Sequence, residues 1–179
     1  CACSAQGLAF VLLPVLLQTV LGHSQVATGF LMTPWPAVVA VMALIAGRLA
    51  DRVSLALLCG VGLVLLSAGM ASLATLGSDA STFDIGWRMA LCGAGFGFFQ
   101  SPNLKAIMTS APIARSGGAS GIVATSRLMG QTLGASLVAL CFHISLSSGP
   151  QYALWLGCAF ALVGAVASGL RLMQDNAKV

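Results

Sequence analysis

The chain has 179 residues, of which 58% are hydrophobic and 7% are charged, and its formal net charge is +4. Soluble domains carry roughly 25% charged residues, and a soluble fold of this length could not keep so much apolar side chain out of water. The composition excludes an ordinary soluble protein and indicates an integral membrane protein in a lipid bilayer. The basic residues are scattered near the ends of apolar runs, a distribution typical of residues that set orientation in the membrane. Because they form no basic patch, we expect no nucleic-acid partner.

Charged residues are absent from three long runs, 1–47, 53–78 and 128–170. A spanning helix needs about 20 apolar residues to cross roughly 30 Å of hydrocarbon. A backbone in lipid must satisfy its own hydrogen bonds, and the alternating polarity of barrel strands is absent, so the spans are predicted to be helical. We predict an all-α bundle of six transmembrane helices, at about 1–22, 26–46, 55–76, 85–108, 119–145 and 151–170.

The stretch GRLADRVS, residues 47–54, joins the second and third predicted spans and is called the charged loop below. Gly47 permits a tight exit from the preceding helix. Asp51 can cap or face a helix N-terminus, where negative charge is favoured. Arg48 and Arg52 can pair with acids or carbonyls of neighbouring helices. A simple stop-transfer loop would explain the arginines but not Asp51 at this spacing.

Positive charge is distributed unevenly between the two sides of the predicted bundle. One set of loops and ends carries Arg48, Arg52, Arg115, Arg171 and Lys178, whereas the other carries Asp79 and Asp84 with Arg88 at its edge. Positive residues mark the cytoplasmic side. We therefore expect the charged loop and the C-terminus in the cytoplasm.

Two small-residue patterns indicate close helix contact. GAGFGF, residues 93–98, superficially resembles a dinucleotide-binding loop, but it lies in mid-helix and lacks the third glycine of that fingerprint. Its glycines are better explained by a bend or a close approach. Gly130 and Gly134 form a small-xxx-small pair that predicts tight packing on a neighbouring helix, with Gly121 and Ala124 continuing the small face.

Polar side chains within the spans are candidates for contact with a solute. Gln100 and Asn103 are three residues apart on the fourth span, and Phe96 and Phe99 share or flank their face. Together with Gln131 of the fifth span, they could line a pocket for an amphipathic solute. They could equally join helices through hydrogen bonds, and both interpretations remain open.

Arg127 lies about two turns inside the fifth span, where a charged side chain is costly and usually faces a partner or a cavity. Arg127 is either a structural partner, for backbone carbonyls or for an acid at the inner gate, or a residue of the cavity itself. Lys105, near the end of the fourth span, can instead extend its ammonium group to the membrane surface.

Residues for enzyme chemistry do not converge anywhere in the sequence. There is no Glu, the four Asp lie near the membrane faces, and the two histidines have no evident acid or nucleophile partner. The six cysteines include no C-x-x-C pair and resemble small apolar filler. We therefore expect no enzyme activity, no cofactor and no metal site.

The charged loop resembles the G-x-L-a-D-R-x-G loop signature of the major facilitator superfamily, in its second-half copy. Gly47, Leu49, Asp51 and Arg52 match, and Ser54 stands where a glycine is usual. Residues 13–36 and 95–136 resemble corresponding regions of the fourteen-span drug:proton antiporter branch.

The resemblance implies that the six spans are the C-terminal lobe of a transporter, built from two three-helix inverted repeats. The lobe would rock against an N-terminal lobe that this chain lacks, and would export amphipathic, cationic or neutral compounds in exchange for protons. The proton-carrying acids of that branch lie mostly in the N-terminal lobe. The chain also begins with Cys1 inside an apolar run, without a basic n-region or a cleavage site, so we expect it to be a piece of a longer protein.

Within this picture, Gly47, Arg48, Leu49, Asp51 and Arg52 would stabilise one conformation of the transporter. The expected location is the bacterial inner membrane. Two alternatives stay open: a six-span structural or interaction subunit without transport activity, and a major-facilitator transporter of another small solute.

Overall fold

The computed structural model of the chain describes residues 1–20, 22, 24–77, 80–112, 116–145 and 148–176. Every regular element in these ranges is helical, which confirms the predicted all-α fold class. In chain order the elements are α1 (Ala2–Val15) with a π-helical turn (Leu16–Val20), α2 (Gln25–Met32), α3 (Pro34–Leu49), α4 (Leu55–Ala74), α5 (Thr82–Ser110), α6 (Ser116–Ile144) and α7 (Gly149–Asn176).

Four segments of the described chain are long and apolar enough to cross a membrane: Ala2–Thr19, Gln25–Leu49, Leu55–Ala74 and Gly149–Leu170. The helices α5 and α6 have 29 residues each, or about 44 Å at 1.5 Å per residue. They are more polar, since α5 carries Asp84, Arg88 and Lys105 and α6 carries Arg127. The six segments correspond in position to the six expected spans.

The second of these segments is interrupted by proline. The helix α2 ends at Met32, and α3 begins at Pro34, which lacks an N–H and suits the first turn of a helix. At the junction Thr33 donates its hydroxyl to the carbonyl of Gly29 at 2.9 Å. The sequence predicted one span here; the structure builds it from two helices because the prolines remove backbone donors.

Part of the helix packing follows a two-fold pattern. The helix α5 lies between α3 and α4, α1 lies between α6 and α7, and α4 packs against α7. The first three spans are α1, α2 with α3, and α4, and the last three are α5, α6 and α7. The contact of α1 with α6 then corresponds to the contact of α5 with α3 in the other half of the bundle. This is the arrangement expected of two related three-helix repeats.

The glycines of α5 bring its backbone against both neighbours. A Cβ atom at Gly93 would lie 2.5 Å from the carbonyl oxygen of Trp35 on α3, and one at Gly97 would lie 2.8 Å from that of Val39. Gly95 faces the other way and touches the backbone of α4. A β-carbon at any of the three positions would clash, so the interpretation of GAGFGF as a close approach is confirmed.

A second glycine contact joins α6 to α1. A Cβ atom at Gly130 would lie 2.8 Å from the Cβ atom of Cys3, and one at Gly134 would clash with the backbone of Ser4. The tight packing predicted for this pair is confirmed, and its neighbour is α1. At Gly121 a Cβ atom would meet open space, so this part of the predicted small face makes no close contact with the described residues.

Candidate functional site

The charged loop is a tight turn between α3 and α4. The amides of Arg52 and Val53 donate to the carbonyl of Leu49 at 3.0 and 2.9 Å, which closes the end of α3. Ser54 is the N-cap of α4 and accepts a hydrogen bond from the amide of Leu57 at 3.3 Å. Ser54 therefore fills the capping position of α4, and of the two roles predicted for Asp51, to cap or to face a helix N-terminus, the first is not the one seen here.

Asp51 instead forms an ion pair with Lys105 of α5. The Lys105 Nζ lies 2.5 Å from Asp51 Oδ1 and donates to the carbonyl of Ala50 at 3.3 Å. Ala50 is the C-cap of α3, so the ammonium also stands at the negative end of that helix. From the sequence we predicted only that the Lys105 ammonium group extends to the membrane surface. The overlooked signal was charge complementarity, because Asp51 is one of two acids, with Asp175, predicted at the same end of the bundle.

The two arginines of the charged loop point outward. Arg48 and Arg52 are both exposed, and neither pairs with an acid in the described part of the chain. Gly47 lies against α5, where a Cβ atom would be 3.2 Å from the Ser101 Oγ. The loop is therefore held to α5 through Gly47 and Asp51, while its arginines remain free of acidic contacts there. Arg115 and Lys178, expected on this side, lie outside the described residues.

The solute-facing residues predicted on α5 separate into two groups. Phe96 is buried in the core at 2% exposure, with its ring 6.3 Å from that of Phe99. Phe99 and Asn103 line a cavity of about 230 Å³ between α4, α5 and α7, next to the first residues of α1. Gln100 is half-buried beside them. Of this predicted set, Phe99 and Asn103 share this cavity.

Gln131 lies at the contact between α1 and α6. Its Nε2 donates to the Oε1 of Gln6 at 3.4 Å, and Gln6 is 8% exposed. An amide pair in apolar surroundings satisfies part of the hydrogen-bonding capacity of both groups. Of the two interpretations left open for Gln131, this contact favours the joining of helices.

Arg127 lies seven residues before Gly134 and so on the same face of α6. It is exposed, and no described residue forms an ion pair with it. The segment of α6 from Ser116 to Met129 is exposed along nearly its whole length.

A second polar cluster, missed by sequence reasoning, lies at the end of the bundle opposite the charged loop. Asp84 accepts from Trp87 Nε1 at 2.7 Å and pairs with the Arg88 guanidinium at 3.1 Å. Arg88 also donates to the carbonyl of Ser72 and, at 3.1 Å, to the hydroxyl of Thr75. It thereby satisfies the C-terminal groups of α4 and fixes α4 to α5.

Asp84 precedes the span predicted over 85–108. The hydrogen bond from Trp87 and then those from Arg88 hold the pKa of its carboxyl below the ordinary value of 3.8. Beside this cluster, an apolar cleft of about 540 Å³ opens between α2 and the start of α5. Its aromatic lining consists of Phe30, Phe83 and Trp87, and tryptophan is a residue type enriched at the bilayer interface.

Comparison with the sequences of known proteins identifies the family of the chain. The chain is 49% identical over 178 residues, 99% of its length, to the uncharacterized transporter YebQ of Escherichia coli. It is 31% identical over 66% of its length to the multidrug resistance protein Stp of Mycobacterium tuberculosis. It is 26% identical over 79% of its length to the riboflavin transporter RibZ of Clostridioides difficile.

The chain spans 39%, 22% and 31% of the lengths of these three relatives, respectively. Residues 1–135, which include the charged loop and its partner helix α5, match the Major Facilitator Superfamily as a family. The resemblance first carried by Gly47, Leu49, Asp51 and Arg52 is thus confirmed over most of the chain. The protein is an integral membrane protein, and it belongs to the Major Facilitator Superfamily.

Proposed function

We propose that the chain is the C-terminal six-span lobe of a transporter that exports amphipathic organic compounds by alternating access. The observation that carries the proposal is the family match over residues 1–135. The two-fold packing of α1 to α7 supports it, because a lobe of two three-helix repeats is the moving unit of such transporters. The similarity to the multidrug resistance protein Stp supports a drug-like substrate.

Protons are the proposed coupling ion. None of the four acids of this chain lies in the middle of a span, so the lobe supplies no evident proton carrier of its own. In the proposal, an N-terminal lobe carries that acid. Asp51, with Gly47, Arg48, Leu49 and Arg52, then biases one conformation of the whole transporter.

Phe99 and Asn103 are the proposed solute contacts of this lobe, because they share a cavity and one of them is polar. Gln100 lies beside them, whereas Phe96 would reach a solute only after repacking of the core. Arg127 belongs to the proposed pathway as a charge with no ion-pair partner among the described residues, since a cation exposed on a membrane helix requires water or a partner.

The test uses the full-length gene product in everted bacterial membrane vesicles. We expect extrusion of an amphipathic dye such as ethidium from the cytoplasmic side when a proton gradient is imposed, and loss of extrusion when a protonophore collapses it. Vesicles without the protein serve as the control. Dye movement that ignores the proton gradient would contradict the coupling, and absence of dye movement would contradict the substrate class.

A transporter of another small solute is the second candidate, favoured by the similarity to the riboflavin transporter RibZ over 79% of the chain. Radiolabelled riboflavin in the same vesicles distinguishes the two: movement of riboflavin without movement of dyes would favour it. A six-span structural subunit is the third candidate, and it predicts that neither solute moves although the protein co-purifies with a membrane partner.

The proposed location is the bacterial inner membrane, with the charged loop and the C-terminus in the cytoplasm. A fluorescent protein fused after Val179 reports this side, since such fusions fluoresce only in the cytoplasm. An alkaline phosphatase fusion at the same site is the matched reporter. High phosphatase activity together with a dark fluorescent fusion would contradict the proposed orientation.

A further inference from the structure

An apolar groove runs along the contact between α4 and α7 and is called the α4–α7 groove below. Its volume is about 370 Å³, and its lining consists of alanine, valine, leucine and glycine. On α4 the lining runs from Ala56 to Leu65, and on α7 it includes Gly169. Val61 and Val64 in this lining are 44% and 53% exposed. The groove therefore opens away from the packed core.

The α4–α7 groove is separate from the cavity lined by Phe99 and Asn103. The two have no lining residue in common. Ser168, which lines the cavity, donates its hydroxyl to the carbonyl of Ala56, which lines the groove, at 2.8 Å, and so joins the two helices between them. A molecule in the groove would touch neither Phe99 nor Asn103, so the proposed solute contacts do not explain it.

The length and position of the groove match one leaflet of a bilayer. From Ala56 to Leu65 it follows about 14 Å of α4 at 1.5 Å per residue, about half of the roughly 30 Å of hydrocarbon in a bilayer. The groove begins at the second residue of α4, directly after the charged loop. It is thus confined to the leaflet on the side of the charged loop, where lipid acyl chains lie alongside it.

Two positive charges lie at the loop end of the groove. Arg52 precedes Ala56 by four residues, and Arg48 is in the last turn of α3. Both are exposed, and neither forms an ion pair within the described chain. The acid of the loop, Asp51, is paired with Lys105 at 2.5 Å. Because a guanidinium presents paired N–H groups that match phosphate oxygens, this end of the groove is complementary to an anionic headgroup.

We propose that the α4–α7 groove and the two arginines beside it form a site for an anionic phospholipid, with an acyl chain in the groove and the phosphate headgroup on Arg48 and Arg52. The groove alone would accept a chain of any lipid, because it offers only apolar contacts. The arginines supply the preference for an anionic headgroup, since a zwitterionic lipid brings no net charge to them.

Charge also decides against a second copy of the chain as the occupant. A neighbour inserted in the same orientation would present its own Arg48 and Arg52 on the same side of the membrane. Like charges would then face each other at the loop end of the groove, whereas an anionic lipid neutralises them.

The test measures lipid retention by the full-length protein in a non-ionic detergent, using native mass spectrometry with phosphatidylglycerol and phosphatidylcholine of identical chains. We expect one phosphatidylglycerol to be retained about 20-fold more tightly than phosphatidylcholine. Arg48→Gln and Arg52→Gln should each lower this preference about fivefold, the change expected for one basic residue beside anionic lipid. Arg127→Gln is the matched control, since Arg127 is also an exposed arginine but lies on α6.

Gly60→Leu tests the groove itself. A Cβ atom at Gly60 would lie 3.9 Å from the Ser168 Oγ, an ordinary contact, so the leucine side chain can extend into the groove. Gly169→Leu fills the groove from α7, where a Cβ atom meets open space. Both variants should weaken retention of both lipids about fivefold or more and leave their ratio unchanged. Gly29→Leu on α2 is the control, since a Cβ atom there also meets open space.

Equal retention of the two lipids by the wild-type protein would overturn the inference, and so would unchanged retention in the arginine variants or in the leucine variants of the groove. Glycerol phosphate, a headgroup without chains, should not compete with phosphatidylglycerol; competition at equal concentration would show that the groove has no part. A dimer that Gly60→Leu dissociates would make the groove a subunit interface and would also overturn the inference. The site does not depend on the transported solute, so a protein that retains phosphatidylglycerol but moves no solute would contradict the proposed function alone.

Discussion

A Cβ atom at Gly7 would lie 2.6 Å from the Cα atom of Gln131, so the backbones of α1 and α6 are in direct contact at this point. Close packing of this kind replaces the hydrophobic driving force that helices in lipid lack. Any side chain larger than hydrogen at position 7 must push the two helices apart.

We expect Gly7→Val to destabilise the protein by about 1–3 kcal/mol, the range typical of overpacking. The measurement is the thermal unfolding midpoint of the detergent-solubilised full-length protein. Gly86→Ala is the control, because a Cβ atom at Gly86 meets open space and alanine is favoured over glycine in helices by about 0.5–1 kcal/mol. Equal midpoints for both variants would contradict the backbone contact.

The Arg88 cluster predicts a second effect on stability. Arg88→Met keeps the aliphatic stem but removes the guanidinium's hydrogen bonds to the carbonyl of Ser72 and the hydroxyl of Thr75. The Ser72 carbonyl then keeps the Thr75 hydroxyl, at 2.8 Å, as a donor. Loss of a charged hydrogen bond of this kind costs about 1.5–3 kcal/mol. We expect a lower unfolding midpoint and faster proteolysis around the end of α4. Arg88→Lys should recover only part of the loss, since an ammonium cannot reproduce the fork that serves Asp84 and α4 together.

The same cluster predicts the effect of acid on stability. The folded-state pKa of Asp84 is below 3.8, chiefly because of the hydrogen bond from Trp87 and then those from Arg88. A lowered pKa contributes stability that is fully present above the unfolded value and is lost as the pH falls through the folded value. The Asp84 contribution should therefore be constant from neutral pH down to about pH 5 and decline below about pH 4. Unfolding midpoints of wild type and Asp84→Asn should converge at low pH; a constant difference across the range would contradict this.

Replacement of Trp35 by phenylalanine should have a milder effect on stability than its burial suggests. Its side chain is 1% exposed, and its indole Nε1 has no hydrogen-bond partner among the described residues. Removing an unsatisfied buried donor recovers part of what the lost volume costs. We expect Trp35→Phe to cost clearly less stability than Trp35→Ala, which should cost about 3–5 kcal/mol; thermal unfolding midpoints compare the two. The ring of Phe10, 5.4 Å from the indole ring, should remain packed in the phenylalanine variant.

Local features of the sequence predicted much of this fold. Charge-free runs indicated the membrane helices because charges are excluded from lipid, and the glycines of GAGFGF and the pair Gly130 and Gly134 indicated close contacts because only small residues permit them. The charged loop indicated the superfamily. Each of these signals is contained within a short stretch of chain.

Contacts between distant segments could not be read in the same way. Lys105 meets Asp51, and Arg88 meets the end of α4, only after the helices have packed, and no local pattern encodes either pairing. The core position of Phe96 also depends on how α5 is rotated between its neighbours. The interruption at Thr33 could have been predicted, since Pro34 and Pro36 lie two residues apart. Whether such prolines kink a helix or divide it, however, is decided by the surrounding packing.

Backbone contact on two opposite sides of α5, through Gly93 and Gly97 against α3 and through Gly95 against α4, limits the movements open to that helix. Rotation about its long axis would drive the larger flanking side chains into the backbones beside it. Flexing near Pro102, beyond the glycine contacts, avoids that collision. The central part of α5 should therefore show slow amide hydrogen exchange, and the turns beyond Pro102 should exchange faster.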